Sequence, residues 1–185
     1  VRREIKPDSN EIKWDPDNDV LDSDSIEGFD AIIHLGGAGI GDKRWTKKRK
    51  ALIQKSREKS TTLLSDTISK LKKKPEVFLV ASAIGYYGNR GDEELTEESK
   101  PGEGFLTETV LAWEKYAKSA KDSGVRVINI RTGIVLSATG GALQRMLLPW
   151  KLGAGGSIGG GKQWMSWISL DDQIFAINHL IMKKE

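Results

Sequence analysis

Phe29-Asp30-Ala31-Ile32-Ile33-His34-Leu35 is a compact apolar run closed by Gly36 and Gly37, and Val77-Phe78-Leu79-Val80-Ala81-Ser82 repeats the form just after Pro75. Short runs that are apolar throughout suit strands buried on both faces of a parallel sheet. Between them, residues 45–73 read as one long helix, with Leu52, Ser56, Ser60, Leu63, Thr67 and Leu71 on a narrow stripe opposite a lysine-rich face. Residues 105–122 predict another helix, and Gly124 stands where its C-terminus should end. Val125-Arg126-Val127-Ile128-Asn129-Ile130-Arg131 then predicts a third strand. Strands alternating with long helices make βαβ units, hence an α/β fold with a parallel sheet and helices on both faces.

Outside this frame the chain changes character. Residues 5–28 are polar, with Ile12-Lys13-Trp14 as a short strand candidate, and residues 92–98 form an acidic loop. Residues 137–163 carry glycines at 140, 141, 153, 155, 156, 159, 160 and 161 around the apolar Met146-Leu147-Leu148-Pro149-Trp150. That stretch is too apolar for a flexible linker and reads as a glycine-jointed crossover. Trp164 to Leu170 reads as a short strand, and Asp171-Asp172 as the start of a last helix, where carboxylates suit the positive end of the dipole. The chain opens on Val1 in what reads as the tail of a strand and closes in a helical pattern, so a piece of a longer protein is expected.

Composition narrows the function classes. The 185 residues include 29 basic and 26 acidic side chains, a net charge of +3, with 38% hydrophobic and 30% charged residues, as in ordinary globular domains. No apolar run approaches the ~20 residues of a membrane-spanning helix. There is no cysteine, which removes disulfides, thiolate nucleophiles and thiolate metal sites, and only His34 and His179 are present, so no metal centre is expected. Nine basic residues fall between positions 43 and 59 and four more between 70 and 74. Trp45 is the one aromatic residue among them, too few for a base-stacking platform, so a solvated helix face is preferred to a nucleic-acid surface.

Two stretches carry chemistry. Gly36-Gly37-Ala38-Gly39-Ile40-Gly41 follows a strand and precedes a helix, inviting comparison with the dinucleotide fingerprint G-x-G-x-x-G, although its spacing is G-x-G-x-G. Three readings stay open: the primary pyrophosphate loop, a tight turn whose glycines permit positive φ and close backbone approach, or a later loop lying against a cofactor. Ser82 closes a buried strand and Tyr86 and Tyr87 follow it. A hydroxyl at a strand's C-terminal edge beside two phenols is a plausible proton-transfer arrangement; the bland reading is loop packing and a satisfied backbone.

Taken together, several stretches resemble the extended short-chain dehydrogenase/reductase superfamily, specifically its atypical sugar-nucleotide-epimerase-like "epimerase family". They are Ala31-Ile32-Ile33-His34-Leu35-Gly36-Gly37 with Lys43-Arg44-Trp45, Ser82-Ala83-Ile84-Gly85-Tyr86-Tyr87-Gly88, Arg131-Thr132-Gly133-Ile134-Val135-Leu136, the segment 146–153, the segment 159–163 and Trp167-Ile168-Ser169-Leu170-Asp171-Asp172. The resemblance implies a Rossmann-type domain that lacks its first βαβ portion and most of its C-terminal substrate domain. Residues 1–136 would be a partial NADP-binding domain, and residues 137–185 a crossover leading into the substrate region. It implies that Arg2 and Arg3 pair with a ribose 2′-phosphate, favouring NADP over NAD. Leu35, Gly36 and Gly37 would line the adenine and ribose side, Arg57 would lie near the cofactor phosphates, Val135 beside the nicotinamide, and Ser82 would match the superfamily's catalytic serine or threonine.

One departure is serious. The positions matching the superfamily's Tyr-x-x-x-Lys pair read Leu106 and Val110, so Tyr86 or Tyr87 would have to supply the missing phenol, with Ser82 orienting substrate. The expected function is an NADP-binding oxidoreductase or epimerase acting on an unidentified small or sugar-like substrate. The alternative is a catalytically silent NADP-binding sensor or interaction module. No nucleic-acid or membrane partner is expected; a homodimer and a cytoplasmic or organelle stromal or matrix location are.

Overall fold

The computed structural model describes residues 4–6, 9–157 and 160–183. Its elements run in chain order as β1 (Trp14–Asp15), β2 (Val20–Leu21), β3 (Ala31–His34), α1 (Lys47–Lys70), β4 (Val77–Ala83), α2 (Phe105–Lys115), α3 (Lys118–Asp122), β5 (Arg126–Thr132), β6 (Ile134–Ser137), α4 (Gly141–Lys151), β7 (Trp167–Ser169) and α5 (Leu170–Met182). The chain divides into two compact units, Val1–Ser82 with Thr109–Ile130, and Ala83–Glu108 with Arg131–Glu185.

The first unit holds the sheet's core. β3 pairs in parallel with β4, Ala31 opposite Val77 through His34 opposite Val80, and the strand order β3-β4-β5 puts β4 in the centre. Both faces of β4 are buried, Phe78 and Val80 on one side and Val77 and Leu79 on the other, as the continuous apolar run predicts. Phe78 and Val80 pack with Leu64 and Ile68 of α1, with Trp113 of α2, and with Ala117, Ala120 and Val125. This is the expected Rossmann-type α/β arrangement of parallel strands and covering helices.

Helix α1 begins where Thr46 accepts the Arg49 N–H through Oγ1 at 3.2 Å, and it ends ahead of Pro75. Its buried side is Ile53, Ser60, Thr61, Leu64, Ser65 and Ile68, whereas Leu52 is 49% exposed. Of the sequence-derived stripe, Ser60 and Leu71 are buried, Ser56, Leu63 and Thr67 are partly so, and Leu52 is a correction. Half of the inner face is hydroxyl, and those hydroxyls are used: Thr61 Oγ1 accepts from Trp113 Nε1 at 3.0 Å, and Ser65 Oγ accepts from the Ala120 backbone N–H at 2.9 Å.

The expected helix over 105–122 is two helices. The break frees early N–H groups of α3, and Ser65 takes that of Ala120. Gly124 terminates the pair at φ +91°, as expected of a helix-ending glycine. The Ile12-Lys13-Trp14 strand shrinks to a two-residue hairpin pairing with β2.

In the second unit β6 pairs in parallel with β7, Ile134 opposite Trp167 through Leu136 opposite Ser169. The glycine-jointed crossover contains α4, with Pro149 inside it. Ser169 caps α5 by accepting the Asp172 N–H at 3.0 Å, and Asp171 and Asp172 sit in the first turn as expected.

Candidate functional site: a glycine loop, a half-buried arginine and a serine–carboxylate pair

In the first unit, the parallel strands deliver two chain segments to their C-terminal ends, where open α/β sheets receive ligands. β3 ends at His34, which is 3% exposed. Its Nε2 shares a hydrogen bond with Ser60 Oγ at 3.0 Å, and its ring meets Trp14 edge-on at 5.7 Å. Burial, helped by the nearby Arg57 cation, pushes His34 from the ordinary 6.5 down to about 4, so the ring is neutral at neutral pH. Leu35 follows at 60% exposure, opening the loop to solvent.

The glycines serve close approach. None of Gly36, Gly37, Gly39 and Gly41 has positive φ. A Cβ on Gly36 would sit 2.9 Å from His34 Cε1, and one on Gly37 would sit 3.2 Å from Arg57 Cζ. Helix α1 fastens the loop from below: Ser56 Oγ accepts the Ala38 N–H at 3.0 Å, Arg57 Nη1 donates to the Ala38 carbonyl at 3.1 Å, and Arg49 donates to the Gly39 carbonyl.

Arg57 is the unusual group here. Its guanidinium carbon lies 4.6 Å from the centre of the Trp113 ring, and Nη1 also donates to Ile53 O at 3.0 Å. Burial lowers its pKa, yet guanidinium stays charged in proteins. Both hydrogens of Nη1 go to backbone carbonyls. Its remaining N–H groups bond no described residue, and no carboxylate among the described residues pairs with it. A half-buried cation with spare donors beside a glycine loop is chemically suited to phosphate.

β4 brings Ser82 to its end, 6% exposed, where Oγ donates to Glu114 Oε1 on α2 at 2.7 Å. Sequence reasoning assigns Glu114 no role, although it lies four residues after Val110 and eight after Leu106, on the helical stripe they share. A carboxylate on that otherwise apolar stripe was the available signal. Leu106 and Val110 do lie on α2, and Val110 is 3% exposed.

The second unit holds Tyr86 and Tyr87, with ring centres 5.1 Å apart and edge-on. Arg131 lies 3.4 Å over the Tyr86 ring, and its Nη1 donates to Tyr87 Oη at 3.2 Å and to Glu97 O at 3.3 Å. The tyrosines are thus held by a guanidinium that the sequence placed only at a strand end. Val135 is the middle residue of the β6–β7 pairing, opposite Ile168. Trp164 Nε1 donates to Asp92 Oδ1 at 2.7 Å, tying the glycine-rich segment to the acidic loop.

Arg2 and Arg3 lie outside the described residues. A separate groove of about 660 Å³ along α1 is lined by Lys55, Lys59, Lys70, Asp19, Asp24 and Asp66 among others, and no expected site residue lines it. Among the described residues no cluster of acidic or histidine side chains has metal-site geometry, and no helix is long and apolar enough to cross a membrane.

Parallel strands that end in a glycine loop with a half-buried arginine beside it define a Rossmann-type nucleotide-binding fold. The chain belongs to the NAD dependent epimerase/dehydratase family, whose profile matches residues 7–185. The resemblance read from the sequence is therefore borne out. The chain is 36% identical over 181 residues to epimerase family protein Mb2239 of Mycobacterium bovis, which matches 98% of this chain. It superposes on the nucleoside-diphosphate sugar epimerase of Corynebacterium glutamicum with a TM-score of 0.82 at 38% identity over its whole length. On the human epimerase family protein SDR39U1, solved with NADPH, the TM-score is 0.78 at 33% identity over 83% of this chain. The chain spans 60%, 38% and 52% of those three proteins, respectively.

Proposed function

We propose that this protein binds NADP(H) and belongs to an oxidoreductase or epimerase that works on a small or sugar-like molecule. The observation that carries the reading is Arg57, a half-buried cation with spare donors and no carboxylate partner among the described residues, set against Gly37. The site fits a dinucleotide on its own chemistry, because such a cation calls for an anion and the side-chain-free loop admits one closely. Arg57 would hold a phosphate, and Leu35, Gly36 and Gly37 would line the adenosine side. Val135 would present backbone to the nicotinamide, which when bound supplies the hydride acceptor or donor. The choice of NADP over NAD rests on Arg2 and Arg3 pairing with a 2′-phosphate, and the NADPH in the human relative supports it.

For the proton, Ser82, Tyr86 and Tyr87 are the candidates. Tyr87 accepts from Arg131 and so keeps its own hydrogen to give. The substrate is a small molecule and no nucleic acid is involved.

Titration of the longest natural form of the chain with NADPH and NADH, read by tryptophan fluorescence, tests the proposal. NADPH preference that reverses in Arg2→Glu/Arg3→Glu supports it. Binding without hydride exchange toward any alcohol or carbonyl would turn the reading to a cofactor sensor. Absence of binding by either nucleotide refutes it.

A further inference from the structure

We propose that Glu114 is the positioning residue through which Ser82 handles a proton, in place of the tyrosine and lysine that Leu106 and Val110 replace. The proposal rests on the hydride-transfer reading above. A tyrosine and lysine at positions 106 and 110 would project from one helical stripe; the next position on that stripe is Glu114. Its carboxylate receives the Ser82 hydroxyl hydrogen at 2.7 Å, across 32 residues of sequence and at the end of a central strand. Ser82 is 6% exposed, so little water competes for that bond.

The direction of the bond decides the chemistry. A serine whose hydrogen is committed to a carboxylate presents only lone pairs to anything else, so Ser82 accepts. When an alcohol is oxidised, its O–H bond breaks and the proton passes to Ser82 Oγ while the serine hydrogen moves to Glu114 Oε1. The carbinol C–H bond breaks with its electron pair, which leaves as hydride to an oxidised nicotinamide dinucleotide. Reduction of a carbonyl retraces those moves, with Glu114 returning the proton. A bond that only held α2 to β4 would need an acceptor oxygen but no base.

Glu114→Gln separates the two, since the amide keeps the size and an acceptor oxygen but takes no proton. The full-length protein is assayed for NADPH oxidation with phenanthrenequinone, a vicinal diketone. The expected result is a loss of about 100-fold or more in kcat for Glu114→Gln and for Ser82→Ala, with NADPH affinity within about twofold of the parent. The double variant should be no worse than either single one, as for residues acting as a unit. Glu114→Asp should recover part of the rate.

A readout independent of turnover uses the absence of cysteine from the chain. Ser82→Cys adds one S–H infrared band to the difference spectrum against the parent, and it should move toward the frequency of a free thiol when Glu114→Gln is added, because an amide oxygen is the weaker acceptor. If Glu114→Gln stays within about threefold of a parent that reduces the diketone, or if the thiol band is indifferent to residue 114, the role of Glu114 is refuted and the hydride-transfer reading stands. If the parent itself does not oxidise NADPH with the diketone, that reading fails and the proposal fails with it.

Discussion

Acidification should unfold this protein through His34 in a way one substitution can isolate. His34 has about 4 as its folded pKa against 6.5 for an ordinary imidazole, because burial and then Arg57 disfavour the charged ring. The folded state therefore binds fewer protons than the unfolded chain between those values. The stability this provides is fully present above about pH 6.5 and is lost as pH falls toward 4. At ~1.4 kcal/mol per pH unit, the gap is worth about 3 kcal/mol. That is a large share of the ~5–15 kcal/mol typical of a domain.

Carboxylates also titrate over this range, so the total acid sensitivity is not diagnostic. The difference between the parent and His34→Gln is, since the carboxylates cancel. Gln can still bond Ser60 Oγ but has no proton to gain. Near neutral pH the variant should be the less stable of the two, through poorer packing on Trp14. Below about pH 6 the parent should lose ground to it by about 1.4 kcal/mol per pH unit, until the curves approach or cross. Urea unfolding by tryptophan fluorescence at several pH values measures this. Parallel stability curves for the two proteins would refute the buried, neutral His34 and the electrostatic account of Arg57 with it.

Arg57→Met should lower NADPH affinity by about tenfold to a hundredfold in the same fluorescence titration, the cost of losing a charge-assisted phosphate contact. Ser65→Ala strands the buried Ala120 N–H and should cost about 1–3 kcal/mol in urea unfolding. Phe78→Ala, at a fully buried position of the central strand, should cost about 3–5 kcal/mol by the same assay. Val110→Lys, which returns the superfamily's lysine to a site only 3% exposed, should destabilise the fold, read as a drop in Tm, because an ammonium there is taken out of water and out of a packed apolar position.

The parts of the fold that were legible in the sequence are those with one dominant signal. β3 and β4 are continuous apolar runs bounded by glycine or proline, and α1 has both a threonine cap and a terminating proline. The face of α1 was not legible. The stripe includes Ser60 and Leu71, which are buried, and Leu52, which is not; it misses Thr61 and Ser65, whose value comes from donors 52 and 55 residues further along the chain. Helix α4 was hidden by the glycines at both of its ends and the proline within it. At the site, Ser82 and the tyrosine pair could be picked out as residue types, whereas Glu114 and Arg131 acquire meaning only when the chain brings them to Ser82 and to the phenols, respectively.

The hydroxyl-lined face of α1 links the core to the candidate site. Thr61 holds the Trp113 indole by its N–H, so the ring's orientation is set from within the core. Arg57, one turn earlier on α1, lies on that ring. A leucine at position 61 would fill the same space but leave the indole N–H stranded and the ring without its anchor. The guanidinium then spends one nitrogen on the carbonyls of Ile53 and Ala38, fixing both its own position and that of the loop after Gly37. What is left is a charge held in place by packing, with donors still available. An arginine so placed costs desolvation in the folded state, which its lowered pKa records, and no carboxylate among the described residues offsets it. A site that carries that cost gains from an anion it can bind already organised, and the nucleotide phosphate is the anion this fold brings to its strand ends.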